Sequence, residues 1–237
     1  MRPGRTPSSV AGAAPRAWAS RLQTTSSMLD HARFPTLAAA AQACRVCHAC
    51  PLYQYATQAV FGEGPSHARL MLVGEQPGDE EDRRGHPFVG PAGALLDGAL
   101  AEAGLSRDAV FVTNAVKHFK FVERGKRRLH EKPRAREIAA CNPWLRDELR
   151  LVEPRMVVAL GATASAALFG TKVSVMRDRG RVLSLALDGD AGEEVEAVLT
   201  IHPSAALRAP TSERRHELRD MLISDLRLAA RQARLDA

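Results

Sequence analysis

The 237-residue chain has no apolar run approaching the roughly 18 residues that a membrane-spanning helix needs, which excludes an integral helical membrane protein. It has only four cysteines, too few for a disulfide scaffold, and no continuous apolar segment near its start that reads as a secretory signal. Seventeen glycines and fourteen prolines are too sparse for a collagen-like repeat. Aromatic residues make up only 5%, and Met1 to Met28 contains no acidic residue at all. What remains is ordinary for a globular protein: 45% hydrophobic and 25% charged residues, at a length that fits one large domain or a domain with an appendage.

The net charge of +6 is unevenly spread. Arg2, Arg5, Arg16 and Arg21 give the acid-free start +4, in a stretch rich in Ala, Ser, Pro and Thr without apolar periodicity. Residues 1–30 are therefore expected to be a disordered basic tail. An Arg- and Ser-rich transit peptide, or translation starting at Met28, would give the same pattern. A second block, Lys117 to Arg136, carries +7, which leaves the rest of the chain at −5. This segment contains Gly125 and Pro133 and reads as a loop. One concentrated basic segment on an acidic body suits a polyanion, although a solvated basic loop has the same composition.

Within residues 31–237, short runs rich in β-branched residues alternate with helical patterns. Strands are predicted at 69–73, 109–113, 156–160 and 196–200, with 182–187 a further edge candidate. Helices are predicted at 36–43, 92–103, 134–151, 162–168 and 212–233. Alternation of this kind implies βαβ units, so the expected fold class is α/β: a three-layer α/β/α sandwich around a central, mostly parallel four-stranded sheet.

Ligands of open parallel sheets bind beyond the carboxyl ends of the strands. In this sequence those ends carry Gly74-Glu75-Gln76-Pro77-Gly78, Asn114-Ala115-Val116-Lys117, Gly161-Ala162-Thr163-Ala164 and His202-Pro203-Ser204. An acid, an amide, a small-residue turn and an imidazole would converge on one crevice, and the basic segment leaves from the same edge.

Cys44, Cys47 and Cys50 stand at CxxCxxC spacing, with Cys141 far downstream. Thiols two residues apart can grip one ion or cluster, and His118 could complete a set of four with Cys141 and two of the trio. Spacing alone leaves zinc and iron–sulfur equally open.

Taken in order, Gly74-Glu75-Gln76-Pro77-Gly78, Pro87-Phe88-Val89-Gly90-Pro91-Ala92-Gly93, Asn114-Ala115-Val116-Lys117-His118, Lys126-Arg127-Arg128-Leu129-His130 and His202-Pro203-Ser204 resemble the uracil-DNA glycosylase superfamily. The resemblance runs from about Leu37 to Ala230. It is to the iron–sulfur group around the type 4 enzymes, and most of all to the X-type proteins, which bind uracil-containing DNA covalently. Gln76 and the Lys-Arg-Arg-Leu-His loop mark the X type; ordinary type 4 enzymes lack that loop. The resemblance implies a [4Fe-4S] cluster held by Cys47, Cys50, His118 and Cys141, with Cys44 an extra thiol able to substitute in the other register.

It also implies roles in a pocket that reads a flipped-out base. Asn114 supplies the carboxamide that can both donate to and accept from uracil, Phe88 stacks on the base, and Gln76 and Ser204 belong to the same substrate pocket. His202 donates to the developing uracil anion, and Glu75 favours the cationic sugar and orients a neighbour. His130 attacks C1′ in place of water and gives a stable protein–DNA adduct, while Lys126, Arg127 and Arg128 hold the DNA backbone. The expected protein is a monomer in the cytoplasm of a bacterium, acting preferentially on single-stranded DNA. Two other readings share these residues: a glycosylase that releases uracil and turns over, and a nucleotide-binding regulatory domain without chemistry.

Overall fold

A computed structural model of the chain describes residues 34–170, 173–187 and 193–235. The expected basic tail lies outside the described residues. Three apolar runs form β1 (Leu70–Gly74), β2 (Val110–Asn114) and, past an intervening hairpin, β5 (Met156–Leu160), with every residue of each buried. Strands covered on both faces need no polar alternation, which is why they read as continuous apolar runs. The helices before the hairpin are α1 (Leu37–Cys44), α2 (Asp79–Arg84) and α3 (Pro91–Glu102).

The basic segment is not a loop. Its middle folds as an antiparallel hairpin of β3 (Phe121–Arg124) and β4 (Arg127–His130), a correction to the sequence reading. Gly125, at φ 61°, takes the left-handed first position of a two-residue turn that Lys126 completes. A glycine there lets the turn match the right-handed twist of the two strands.

Beyond it come α4 (Ala135–Val152), α5 (Gly161–Phe169), α6 (Val175–Asp178), β6 (Val182–Ala186), β7 (Glu194–Thr200), α7 (Pro203–Leu207) and α8 (Ser212–Ala233). Thr211 caps α8 by accepting a hydrogen bond from the Arg214 amide, a device worth about 1 kcal/mol.

The sheet order is β2-β1-β5-β7-β6. The first four strands run parallel, as expected, but the sheet has five strands and not four: β6 pairs antiparallel on the β7 edge. Only Leu185 of β6 is buried, so this edge strand carries a weak apolar signature.

Side chains alternate across the strands. Leu70, Leu72, Val110, Val112, Met156, Val158 and Val198 pack with α3 and α8, while Met71, Val73, Phe111, Val157, Ala159, Ala197 and Leu199 pack with α4 and α5. The result is helices on both faces of one sheet, the three-layer arrangement that was predicted. It brings the carboxyl ends of β1, β2, β5 and β7 to a common edge.

Candidate active site

A cavity of about 1060 Å3 opens at that edge, lined among others by Glu75, Gln76, Phe88, Asn114, His130, His202 and Ser204. All three residues expected to be catalytic and all four expected to bind substrate thus face one space.

Glu75 leaves the end of β1. Its Oε2 accepts a hydrogen bond from the Thr163 hydroxyl at the start of α5, and its Oε1 lies 3.1 Å from His130 Nε2 on the last residue of β4. Burial alone would raise the carboxyl pKa, but the hydrogen bonds from His130 and Thr163 outweigh it and hold the group below the usual carboxylate range. Glu75 is an anion at neutral pH, fixed on one side by a hydroxyl and on the other by an imidazole that stays nearly half exposed.

Asn114 ends β2. Its Oδ1 is buried and has no hydrogen-bond partner within the protein. A buried carboxamide oxygen in that state costs free energy unless a ligand completes it. Gly74 makes the arrangement possible, since a Cβ there would come within 2.3 Å of Asn114 Oδ1 and 2.5 Å of Phe88 Cζ. Phe88 is itself held at φ 57°, a conformation that side chains other than glycine rarely adopt, and Glu81 steadies the loop by accepting from the Gly78 and Gly90 amides. The Phe88 and His202 rings stack with centroids 6.0 Å apart.

His202 precedes α7. Its Nδ1 accepts from the Ser204 backbone amide at 3.1 Å and lies 2.7 Å from the Ser204 hydroxyl. A backbone N–H can only donate, so the neutral ring carries its proton on Nε2. Ser204 therefore sets the tautomer of its neighbour. Burial pushes the imidazole pKa down to about 4; Glu75 pulls the other way, while Arg208 and His130 reinforce the depression.

Folding thus favours neutral His202. An unfolded imidazole titrates near 6.5, so between about pH 4 and pH 6.5 the unfolded chain binds more protons and stability rises with pH. In urea unfolding at stepped pH, His202→Asn is expected to remove up to about 3 kcal/mol of the stability lost on acidification through that window. A slope unchanged by the substitution would refute the assignment.

The hairpin is tied to the body at its base. Gln76 Oε1 accepts from the Lys120 amide at 3.0 Å, and its Nε2 donates to the carbonyls of Lys120 and Glu131, each at 3.1 Å. The Gln76 carboxamide lines the cavity but spends these bonds on the hairpin. Arg128 reaches back to Asp79 and, at 2.7 Å, to Asp82, with its guanidinium over the Phe119 and Phe121 rings. Of the three basic residues expected at DNA, Arg128 is thus an anchor, whereas Lys126 and Arg127 are exposed at the tip.

Behind β2, Lys117 and Glu148 form an ion pair at 2.6 Å with both side chains fully buried. Lys117 Nζ also donates to Thr113 Oγ1 and to the Asn114 carbonyl, while Glu148 accepts from the Gly62 amide and the Thr113 hydroxyl. The Lys117 backbone amide donates to Cys141 Sγ at 3.2 Å.

That sulfur belongs to a separate apolar cluster of Cys44, Cys47, Val116, Cys141 and Trp144, against which Cys50 packs. Trp144 Nε1 donates to Cys47 Sγ. Burial pushes the Cys141 thiol up to about 12 and raises Cys44 and Cys50 as well, so these groups become thiolates only when a cation joins them. Among the described residues no three His, Cys, Asp or Glu side chains converge to hold a single metal ion. A four-iron cluster asks for one ligand per iron around a larger body, and soft thiols with N–H donors aimed at sulfur fit that chemistry. Cys47, Cys50 and Cys141 meet this test. His118 is buried, and that burial holds its imidazole pKa below the usual range, so the ring is neutral and able to act as a ligand.

Sequence reasoning missed Thr163, the Asp79 and Asp82 anchors, and the Lys117–Glu148 pair. The acidic run Asp79-Glu80-Glu81-Asp82 signalled a partner for a basic segment. Nothing local marked Thr163 or Glu148.

A carboxylate, a carboxamide with an unpartnered oxygen, a stacked ring and a neutral imidazole meet around one crevice of an α/β protein, a lining suited to a flat polar ligand. Residues 61–227 match the Uracil DNA glycosylase superfamily, and the chain belongs to that family. It is 39% identical over 184 residues to the type-4 uracil-DNA glycosylase of Thermotoga maritima, covering 77% of this chain and 87% of the relative. It is 39% identical over 165 residues to the type-4 enzyme of Pyrobaculum aerophilum, covering 69% and 81%. A type-5 uracil-DNA glycosylase from the same archaeon is 36% identical over 138 residues, 50% of this chain and 58% of the relative.

Proposed function

We propose that the protein excises uracil from single-stranded DNA and that His130 then holds the resulting deoxyribose as a covalent adduct. One observation carries this reading: an imidazole sits 3.1 Å from an anionic carboxylate at the wall of the cavity that also holds Asn114, Phe88 and His202.

Asn114 Oδ1 accepts from uracil N3–H, and the base stacks on Phe88. As the C1′–N1 bond breaks, its electron pair leaves with uracil, and the Nε2–H of neutral His202 donates to the negative charge growing on O2. Glu75 opposes the positive charge on the sugar. Because Glu75 takes the proton-bearing Nε2 of His130, the other ring nitrogen, Nδ1, keeps its lone pair and forms the new bond to C1′. The imidazolium so formed is stabilised by the Glu75 carboxylate. Lys126 and Arg127 contact the DNA backbone from the hairpin tip, a contribution that weakens as salt rises.

Cys47, Cys50, His118 and Cys141 would hold a [4Fe-4S] cluster in this reading, with Cys44 the spare thiol. Such a group would act structurally, linking the cysteines that follow α1 to Cys141 on α4.

The type-4 relatives favour a second reading, in which water takes the place of His130 and the enzyme turns over. Single-stranded DNA carrying one uracil, incubated with the protein and run on a denaturing gel after boiling, distinguishes the two. A band shifted by the mass of the protein is expected. Free abasic DNA alone would support turnover, and intact uracil would sink both readings.

A further inference from the structure

The β3–β4 register divides the hairpin into two faces. Phe121 pairs with His130, Val122 with Leu129, Glu123 with Arg128 and Arg124 with Arg127. Directly opposed residues share a face, and successive pairs alternate between faces. One face therefore carries Phe121, Glu123, Arg128 and His130. It is turned to the body, where Arg128 meets Asp79 and Asp82 and His130 meets Glu75.

The other face carries Val122, Leu129, Arg124 and Arg127. Val122 is 49% exposed and Leu129 36%, side by side, and both arginines beyond them are exposed. Unlike Arg128, neither Arg124 nor Arg127 is used in an ion pair among the described residues. Nothing in the fold requires an apolar pair there. The exposed face of a short ribbon is normally polar, because water covers it more cheaply than it covers valine and leucine.

We infer that this outer face is a second contact for the DNA strand, in which Val122 and Leu129 pack against a nucleobase beyond the uracil's immediate neighbours while Arg124 and Arg127 meet the phosphates next to it. The inference rests on the uracil-DNA reading above and deepens it. Three observations commit the face to nucleic acid. The pair stands one strand residue, about 3.4 Å along the ribbon, from the rung that holds His130 at the cavity but on the opposite face, so a strand leaving the site past His130 reaches it after its first neighbouring nucleotide. Two unpaired guanidiniums flank it, the combination of apolar surface and cation that suits a base with its phosphate. The acidic run Asp79 to Asp82 beneath is taken up by Arg83, Arg84 and Arg128 and by backbone amides, which leaves Arg124 and Arg127 as the cations of the hairpin's outer face that a polyanion can meet. Base faces are free only in an unpaired strand. The outer face thus gives a physical origin for a single-strand preference.

The test uses the full chain and oligonucleotides in which the uridine is 2′-fluoroarabino-uridine, whose fluorine suppresses cleavage so that binding reaches equilibrium. Affinity for a labelled 21-mer is compared with affinity for a trinucleotide centred on the same residue. Val122→Thr/Leu129→Thr keeps strand-forming side chains, and its fold is verified by circular dichroism and thermal melting. The double variant is expected to lose about tenfold more affinity for the 21-mer than for the trinucleotide, with its salt dependence unchanged. Arg124→Gln/Arg127→Gln is expected instead to lower the salt slope by about 1.4, about 0.7 for each single-strand phosphate no longer neutralised. Equal losses on both lengths, or none, for the threonine variant would overturn the proposal while leaving uracil recognition intact. A wild-type protein that binds neither oligonucleotide would overturn the uracil-DNA reading itself, and the outer-face contact with it.

Discussion

Glu148→Gln is expected to lower the unfolding free energy by about 3–5 kcal/mol, the usual cost of breaking a fully buried ion pair by removing one partner. The substitution changes almost no volume. It leaves the Lys117 ammonium in a site with no solvent, where its other acceptors are the Thr113 hydroxyl and the Asn114 carbonyl. It also weakens the bonds Glu148 accepts from Gly62 and Thr113. Urea unfolding of the two proteins reads the difference, and a loss below about 1 kcal/mol would mean the pair is not buried as described. Replacing both partners, as Lys117→Met with Glu148→Leu, should restore part of the stability, because apolar side chains of similar size carry no desolvation cost while the Gly62 amide loses its acceptor. Uracil release by that double variant should stay slow: the Asn114 carbonyl has lost the ammonium that fixes the strand end presenting the carboxamide. Recovery of stability without recovery of rate would separate the pair's structural role from its positioning of Asn114.

His130→Ser is expected to abolish the boiling-resistant band and leave abasic DNA in its place. In the proposed reaction the bond to uracil breaks with the help of His202, Asn114 and Glu75, none of which is touched by the change. The excision rate should therefore fall by less than about tenfold, roughly 1.4 kcal/mol of barrier. Serine is smaller than histidine, so water can occupy the vacated space beside Glu75, which accepts its proton and turns the trap into a hydrolase. Excision is followed by alkaline cleavage at the abasic site, and the adduct by its mobility on the same gel. An adduct that persists would assign the nucleophile elsewhere. Loss of excision together with the adduct would make His130 part of bond breaking and not of capture.

The parallel strands were legible because Leu70–Gly74, Val110–Asn114 and Met156–Leu160 are buried on both faces, and the longest helix because Thr211 caps a clear amphipathic run. Their carboxyl ends followed from the strand assignments, and with them the grouping of Glu75, Asn114 and His202. The hairpin was not legible. From Phe121 to His130 no residue is buried, and ion pairs and one glutamine hold it where an apolar face otherwise would. Charge runs look alike whether solvated or pinned. The Lys117–Glu148 pair was hidden for a related reason: 31 residues separate two charged side chains that a sequence assigns to the surface. Thr163 stood in a turn of small residues placed at the crevice, where nothing singled out its hydroxyl, which is given to Glu75.

Gln76 gives the chain a clasp: one side chain bonds both the residue that enters the hairpin and the residue that leaves it. The excursion between is closed on itself, and its length and sequence can drift without disturbing the sheet that positions the base pocket. A lineage could acquire, lose or rewrite the proposed nucleophile, His130, by changing about ten residues, while the pocket at the sheet edge is inherited unchanged. The proposed capture and the recognition of the base are then separable units of descent, joined through Gln76, Arg128 and Glu75.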